Sequence, residues 1–215
     1  MKFMPKEIQT DSRQYRLGKR QAAIDENRAK IIEAARELIL SEQALQGFSI
    51  DAVAKQAGVA RMTVYNQFGG RRGLLEALFD DIGLRGGMFD ASKFARKDDP
   101  LKELDAFIKT FGSFWQSERL ILRRLHAMNR LDEEMGQADA ERQERRRIAL
   151  RALVGRLQKK SKPEFSFDET VEILQTLTSF ESFDLLAGEK KTPIEVVPII
   201  QKVAREVLKM RGSGQ

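Results

Sequence analysis

The stretch Phe48-Ser-Ile-Asp-Ala-Val-Ala-Lys-Gln-Ala-Gly-Val-Ala-Arg-Met-Thr-Val-Tyr-Asn-Gln-Phe68 decides how this chain is read. Ser49 can cap a helix through its side-chain oxygen, and Phe48 before it can staple onto Val53 in the first turn. That helix should end near Ala57, where Gly58 supplies a residue that tolerates a left-handed backbone. A short second helix is predicted over residues 60–68, broken by Gly69-Gly70. Two helices crossing steeply through a tight turn need a small residue at their closest approach, here Ala54, and a glycine in the turn, here Gly58. They also need apolar residues to lock them together, here Ile50, Val53, Val59 and Val64. The pattern is a helix-turn-helix, a unit that sets the start of its second helix in the major groove of DNA while the first lies across the backbone.

Upstream, Ile31, Ile32, Ala35, Leu38 and Ile39 recur at helical spacing, with Asp25 and Glu26 where a helix N-terminus favours negative charge, so a first helix is predicted over 25–42. Residues 1–24 have little apolar periodicity and carry Lys2, Lys6, Arg13, Arg16, Lys19 and Arg20 against Glu7 and Asp11. They read as a flexible basic arm, either a solvated tail or a DNA-contacting one. Downstream, Leu74, Leu75, Leu78, Phe79 and Ile82 mark a fourth helix that Gly83, Gly86 and Gly87 weaken at its far end. A loop over 43–48, a connection over 89–99 and a stop at Lys160-Ser161-Lys162-Pro163 separate further helices over 101–116, 118–135, 139–160, 168–186 and 193–210, with Pro198 awkwardly near the start of the last. The expectation is an all-α chain of nine helices, divided into an arm (1–24), a helix-turn-helix domain (25–85) and a helical domain (86–215).

Composition narrows the function classes. With 215 residues and 41% hydrophobic content the chain can fold around a sizeable core, and the absence of cysteine removes disulfides, thiol nucleophiles, iron–sulfur clusters and cysteine-based zinc sites. One histidine, His126, excludes any site that needs two imidazoles, so neither catalysis nor a metal or cofactor is expected. No run of 18 apolar residues appears and the start lacks a signal-peptide core, which makes the cytoplasm the default location and gives no membrane partner. A net charge of +6 favours polyanionic partners. Arg142, Arg145, Arg146, Arg147 and Arg151 are the densest basic cluster, but Glu141 and Glu144 lie among them, and the simplest reading is the solvated face of a long helix.

The helix-turn-helix carries more than a generic pattern. Ile31-Ile32-Glu33-Ala34-Ala35-Arg36-Glu37-Leu38, Val53-Ala54-Lys55-Gln56-Ala57-Gly58-Val59, Thr63-Val64-Tyr65-Asn66-Gln67-Phe68 and Gly69-Gly70-Arg71-Arg72-Gly73-Leu74-Leu75 together resemble the DNA-binding domain of the TetR family of transcriptional regulators. The resemblance spans residues 29–78. It departs from the family at Arg71, where a phosphate-contacting lysine is usual, and at Ala60, where a serine or threonine usually precedes the recognition helix. Arg61 has a planar fork suited to a guanine edge, with a phosphate contact or a solvated arginine as its rival. Asn66 and Gln67 could read adenine and Met62 could touch a thymine methyl, or all three could stay exposed without readout. The resemblance implies phosphate contacts for the hydroxyls of Thr63 and Tyr65, the latter also fitting a ring packed between helices. Ser49 and Arg71 stand at helix N-termini, where amides and dipole favour a phosphate, or serve as plain cap and solvated charge.

The resemblance also implies an all-helical domain that binds an effector and dimerises through its last two long helices. Phe107, Phe111, Trp115, Leu122, His126 and Thr178 are the candidates for a pocket that takes a small hydrophobic effector; packing in the core is the other reading of each. Glu118, Glu181 and Asp184 are candidates to face a cationic one. Leu174, Leu177, Phe180, Phe183, Val203 and Val207 are the candidate homodimer interface. The implied function is a DNA-binding regulator, in the family's usual form a repressor released from a palindromic double-stranded operator when effector binding moves the fourth helix. The alternative is a helical ligand-binding or interaction protein without sequence-specific DNA regulation.

Overall fold

The computed structural model describes residues 8–41, 48–90, 99–159 and 164–208. The connections expected over 43–47 and 91–98, the stop at 160–163 and the end of the last helix at 209–210 lie outside these residues. Among the described residues there are ten α-helices, one 3₁₀ turn and no strand. The chain forms two compact units, Met1–Leu78 and Phe79–Gln215, and the boundary falls inside a helix.

The first unit contains α1 (Ile8–Leu40), α2 (Ile50–Ala57), α3 (Arg61–Phe68) and the first half of α4 (Arg71–Arg85). Its core is Ile31, Ala35 and Ile39 of α1 with Val53, Val64, Leu74, Leu75 and Leu78, all fully buried, so the predicted apolar stripe is the buried one. The helix-turn-helix forms as its residues dictate. Ser49 Oγ accepts from the Ala52 amide at 3.2 Å, and Gly58 takes φ 65° while the Val59 amide returns to the Ala54 carbonyl at 3.0 Å. Gly73 permits a close approach, because a Cβ there would stand 1.9 Å from the Phe68 carbonyl oxygen. One expectation fails: residues 8–24, read as an arm, continue α1 as helix. They are rich in Gln, Arg, Lys and Ala, which favour helix through backbone propensity without needing an apolar face to bury.

The second unit continues α4 and adds α5 (Pro100–Ser117), α6 (Arg119–Asn129), α7 (Glu133–Leu157), α8 (Phe167–Leu177), α9 (Phe180–Ala187), a 3₁₀ turn (Pro193–Val196) and α10 (Val197–Val207). Helix α5 is central, packing on α7, α9, the 3₁₀ turn and α10. Gly112 lets it do so, since a Cβ would meet Val197 Cγ2 at 2.5 Å and the Phe183 ring at 3.0 Å. Far from merely weakening α4, Gly86 makes room for Phe114, whose ring would lie 2.1 Å from a Cβ.

Three helix boundaries depart from expectation, each for a local reason. The helix predicted over 168–186 is two, so the helix count is ten and not nine. Ser179 caps α9 by accepting from the Ser182 amide at 3.2 Å, and the freed Thr178 carbonyl takes hydrogen bonds from Trp115 Nε1 at 3.1 Å and Arg146 Nη1 at 3.2 Å. The break between α6 and α7 sits at residues 130–132, because Asp132 caps α7 by accepting from the Met135 amide at 3.1 Å. Pro198, which has no amide proton, falls in the first turn of α10, and the residues before it form the 3₁₀ turn.

Candidate functional site

On α3 the side chains of Arg61, Met62, Tyr65 and Asn66 are exposed along one face, while Val64 is buried and Thr63, Gln67 and Phe68 are half-buried. Met62 is 65% exposed. Arg61 is already engaged. Its Nη1 pairs with Asp51 Oδ2 at 2.9 Å, its Nη2 donates to the Tyr65 hydroxyl at 3.2 Å, and its guanidinium lies 5.4 Å from the Tyr65 ring centre. Both charged side chains are more than half exposed, at 57% and 62%, so the pair is screened by solvent and opens at little cost. It holds the arginine fork at the start of the helix.

Gln67 belongs to the inner side. Its Nε2 donates to the Ile24 carbonyl at 3.3 Å, and Arg28 Nη1 donates to the Gln67 carbonyl at 3.1 Å with its guanidinium 4.5 Å from the Phe68 ring centre. Gln67 is thus tied to α1 in this structure, and Arg28, which the motif does not disclose, helps hold α3 against α1. The absent side-chain cap at Ala60 is real. These bonds hold the uncapped helix from its C-terminal end. Ser49 acts as the N-cap of α2, and Arg71 Nε donates to the Phe48 carbonyl at 3.2 Å, anchoring the start of α4.

The second unit contains a partly open cavity of about 320 Å³. Phe79, Ile82 and Gly83 of α4 line it, with Phe89, the α5 aromatics Phe107, Phe111, Phe114 and Trp115, Leu122 and His126 of α6, and Asp139, Arg142, Arg145 and Arg146 of α7. Five of the six predicted pocket residues thus meet at one site. The sixth, Thr178, stands behind it, fully buried, and its carbonyl positions Trp115 and Arg146. His126 Nδ1 donates to the Leu122 carbonyl at 2.8 Å, the ring stacks on Phe180 at 4.8 Å between centres, and Nε2 is 3.3 Å from Glu181 Oε1.

Other expectations need correction. The arginines of α7 are not one solvated face: Arg146 is only 7% exposed, and Arg142 lies over the Phe79 ring while pairing with Asp80 at 3.0 Å. None of Glu118, Glu181 and Asp184 lines the cavity. Asp184 is clamped by Arg119 at 2.6 Å and Arg123 at 2.9 Å; partial burial pushes its carboxyl up, but the hydrogen bonds from Arg123 and Arg119 outweigh this and hold it below the usual aspartate range. Of the candidate dimer residues, Leu174, Phe180 and Phe183 are closed inside their own chain. The break at Thr178 rephases α9, so Leu185 and Leu186, with Ile199 and Val203 of α10, are the exposed apolar side chains there, while Leu177 and Val207 are half-buried.

An N-terminal helix-turn-helix with an exposed recognition face, followed by a helical bundle around an aromatic cavity, defines a DNA-binding transcriptional regulator. Residues 31–78 match the model of the bacterial regulatory proteins of the TetR family. These residues are a TetR-family DNA-binding domain, and the chain as a whole has the TetR-type fold. A structure from Rhodococcus sp. described as a TetR-family transcriptional regulator superposes with a TM-score of 0.68 at 18% identity, covering 86% of this chain and 100% of that one. NalD of Pseudomonas aeruginosa, the secondary repressor of the MexAB-OprM multidrug efflux pump, gives 0.66 at 21% identity over 89% and 100%. The transcriptional regulator FadR of Bacillus subtilis, in complex with stearoyl-CoA, gives 0.62 at 18% identity over 82% and 96%. No curated protein matches by sequence. Among the described residues no helix is long and apolar enough to cross a membrane.

Proposed function

We propose that the chain is a homodimeric repressor that leaves a palindromic operator when a small effector occupies the cavity of its helical domain. The observation that carries this reading is α4. Leu74, Leu75 and Leu78 in its first half belong to the core of the DNA-binding unit, and Phe79, Ile82 and Gly83 in its second half line the cavity. A ligand that prefers one placement of the second half shifts the population of placements of the first, since the two are one helix. Functionally, residues 25–85 are the reading head with its lever and 86–215 the effector and dimerisation domain. On the reading head Arg61, Met62 and Asn66 face the bases, with Thr63, Tyr65 and Arg71 beside the phosphates.

Two reading heads are required because a two-fold operator presents two half-sites one or more DNA turns apart. The exposed Leu185, Leu186, Ile199 and Val203 on α9 and α10 supply the apolar surface for the second copy. NalD as an efflux-pump repressor and FadR crystallised with an acyl-CoA support repression and an effector. A regulator of this kind works where the chromosome is, in the cytoplasm, and carries out no catalysis.

The test is fluorescence anisotropy on the DNA upstream of the protein's own gene against a scrambled fragment, across a salt series, with mass read by light scattering. Two-subunit binding that outlasts the scramble as salt rises is expected. Equal, salt-fragile binding to both, repeated after selection from random sequence, would overturn sequence-specific regulation.

A further inference from the structure

Arg146 is the most deeply buried charged side chain of the cavity wall. Its Nη1 and Nη2 donate to the Thr178 and Gln175 carbonyls at 3.2 and 3.3 Å, at the C-terminal end of α8, where a helix favours a cation. Those bonds use backbone oxygens only. Its Nε is buried with no acceptor, and among the described residues no carboxylate forms an ion pair with it. Burial pulls the guanidinium down to about 10, with Glu181 and Asp139 opposing from a distance, so it remains charged at neutral pH. A guanidinium taken out of water with its carboxylates held only at a distance is costly, and two neutral carbonyls offset this only in part.

The other charges of the cavity do not neutralise it. Arg142 and Asp80 satisfy each other at 3.0 Å, leaving Arg145 and Arg146 against the half-buried Asp139. Around them the wall is aromatic, with the Phe111 and Trp115 ring centres 5.6 and 5.9 Å from the Arg146 guanidinium. The geometry points to an effector that is an amphipathic anion, with an apolar body against the α5 aromatics and a carboxylate head held by Arg146. A carboxylate set against the guanidinium would cancel the buried charge. This rests on the cavity being the effector site, and it excludes cationic effectors of the kind the acidic residues of α9 suggested.

The protein supplies its own probe, since Trp115 is the single tryptophan and stands in the cavity wall. The full-length protein, without DNA, is titrated with decanoate, its methyl ester and decyltrimethylammonium while Trp115 fluorescence is followed. Decanoate is expected to bind at least about ten-fold tighter than the ester, the scale of one charge-assisted hydrogen bond, and the ammonium more weakly than either. In Arg146→Gln, checked for folding by circular dichroism, the acid-over-ester preference should vanish while ester affinity holds; Arg145→Ala should keep the preference. Equal or weaker binding of the acid in the native protein, or binding of none of the three, overturns the anionic class, whether or not the Gln variant folds. A preference that survives in folded Arg146→Gln, or is lost in Arg145→Ala, overturns the role of Arg146. Acid binding that leaves DNA anisotropy unchanged sinks the release mechanism alone, because the ligand titration contains no DNA.

Discussion

Two arginines show how differently the two units use charge. Arg61 of the reading head is 57% exposed on its side chain, paired with an equally exposed aspartate and braced by a tyrosine hydroxyl. Arg146 of the bundle is 7% exposed, bonded to carbonyls at a helix break and walled by aromatic rings. In the first unit the working groups lie outside a small core and can be exchanged with little damage to the fold. In the second the cavity-lining groups are part of the core, so a change to the cavity is also a change to stability.

The largest effect should come from the bundle. Phe183→Ala removes a fully buried ring and should cost about 3–5 kcal/mol in urea unfolding followed by Trp115 fluorescence. Met62→Ala on the recognition face should change stability by less than about 0.5 kcal/mol. Comparable losses for the two would erase the distinction. Gly112→Val should cost about 1–3 kcal/mol, because its added carbon runs into Val197 and Phe183. An unchanged melting temperature would mean that α5 does not depend on that close approach.

Arg61→Ala sharpens the contrast from the other side. It should cost about 1–3 kcal/mol of discrimination between cognate and random DNA without lowering the melting temperature. Equal losses on both DNAs would reduce Arg61 to a phosphate contact. Acid should act mainly on the bundle through Asp184, whose folded pKa is lowered. The stability it contributes is fully present above the unfolded value near 4 and is lost as pH falls through the folded value. Asp184→Asn should therefore be less stable at neutral pH and show a shallower loss in acid, measured by thermal melting between pH 6 and 2.5. The smallest effect is expected for Asp51→Asn, which frees Arg61. It should leave the melting temperature unchanged and tighten binding to all DNA at low salt.

The helix-turn-helix was legible because every requirement is local. Ser49, Gly58 and Gly69 fix where α2 and α3 stop and start, and Ile50, Val53 and Val64 fix which side turns inward. Arg28 escaped because its work is done thirty-nine positions away, at the Gln67 carbonyl. Arg146 was legible in part. It falls in phase with Met135, Ala138, Leu150, Leu153 and Leu157, all buried on α7, and that phase marks it as inward-facing despite its charge. The density of arginines around it concealed the signal.

By itself the sequence determined an all-helical chain and the caps and turns of the helix-turn-helix, since these follow from spacing over a turn or two. Tertiary structure alone decided that residues 168–186 make two helices, that Leu174, Phe180 and Phe183 are core, and that Arg146 is buried with no ion pair among the described residues. The Thr178 carbonyl could leave the helical ladder only because Trp115 and Arg146, distant in the chain, bring donors to it.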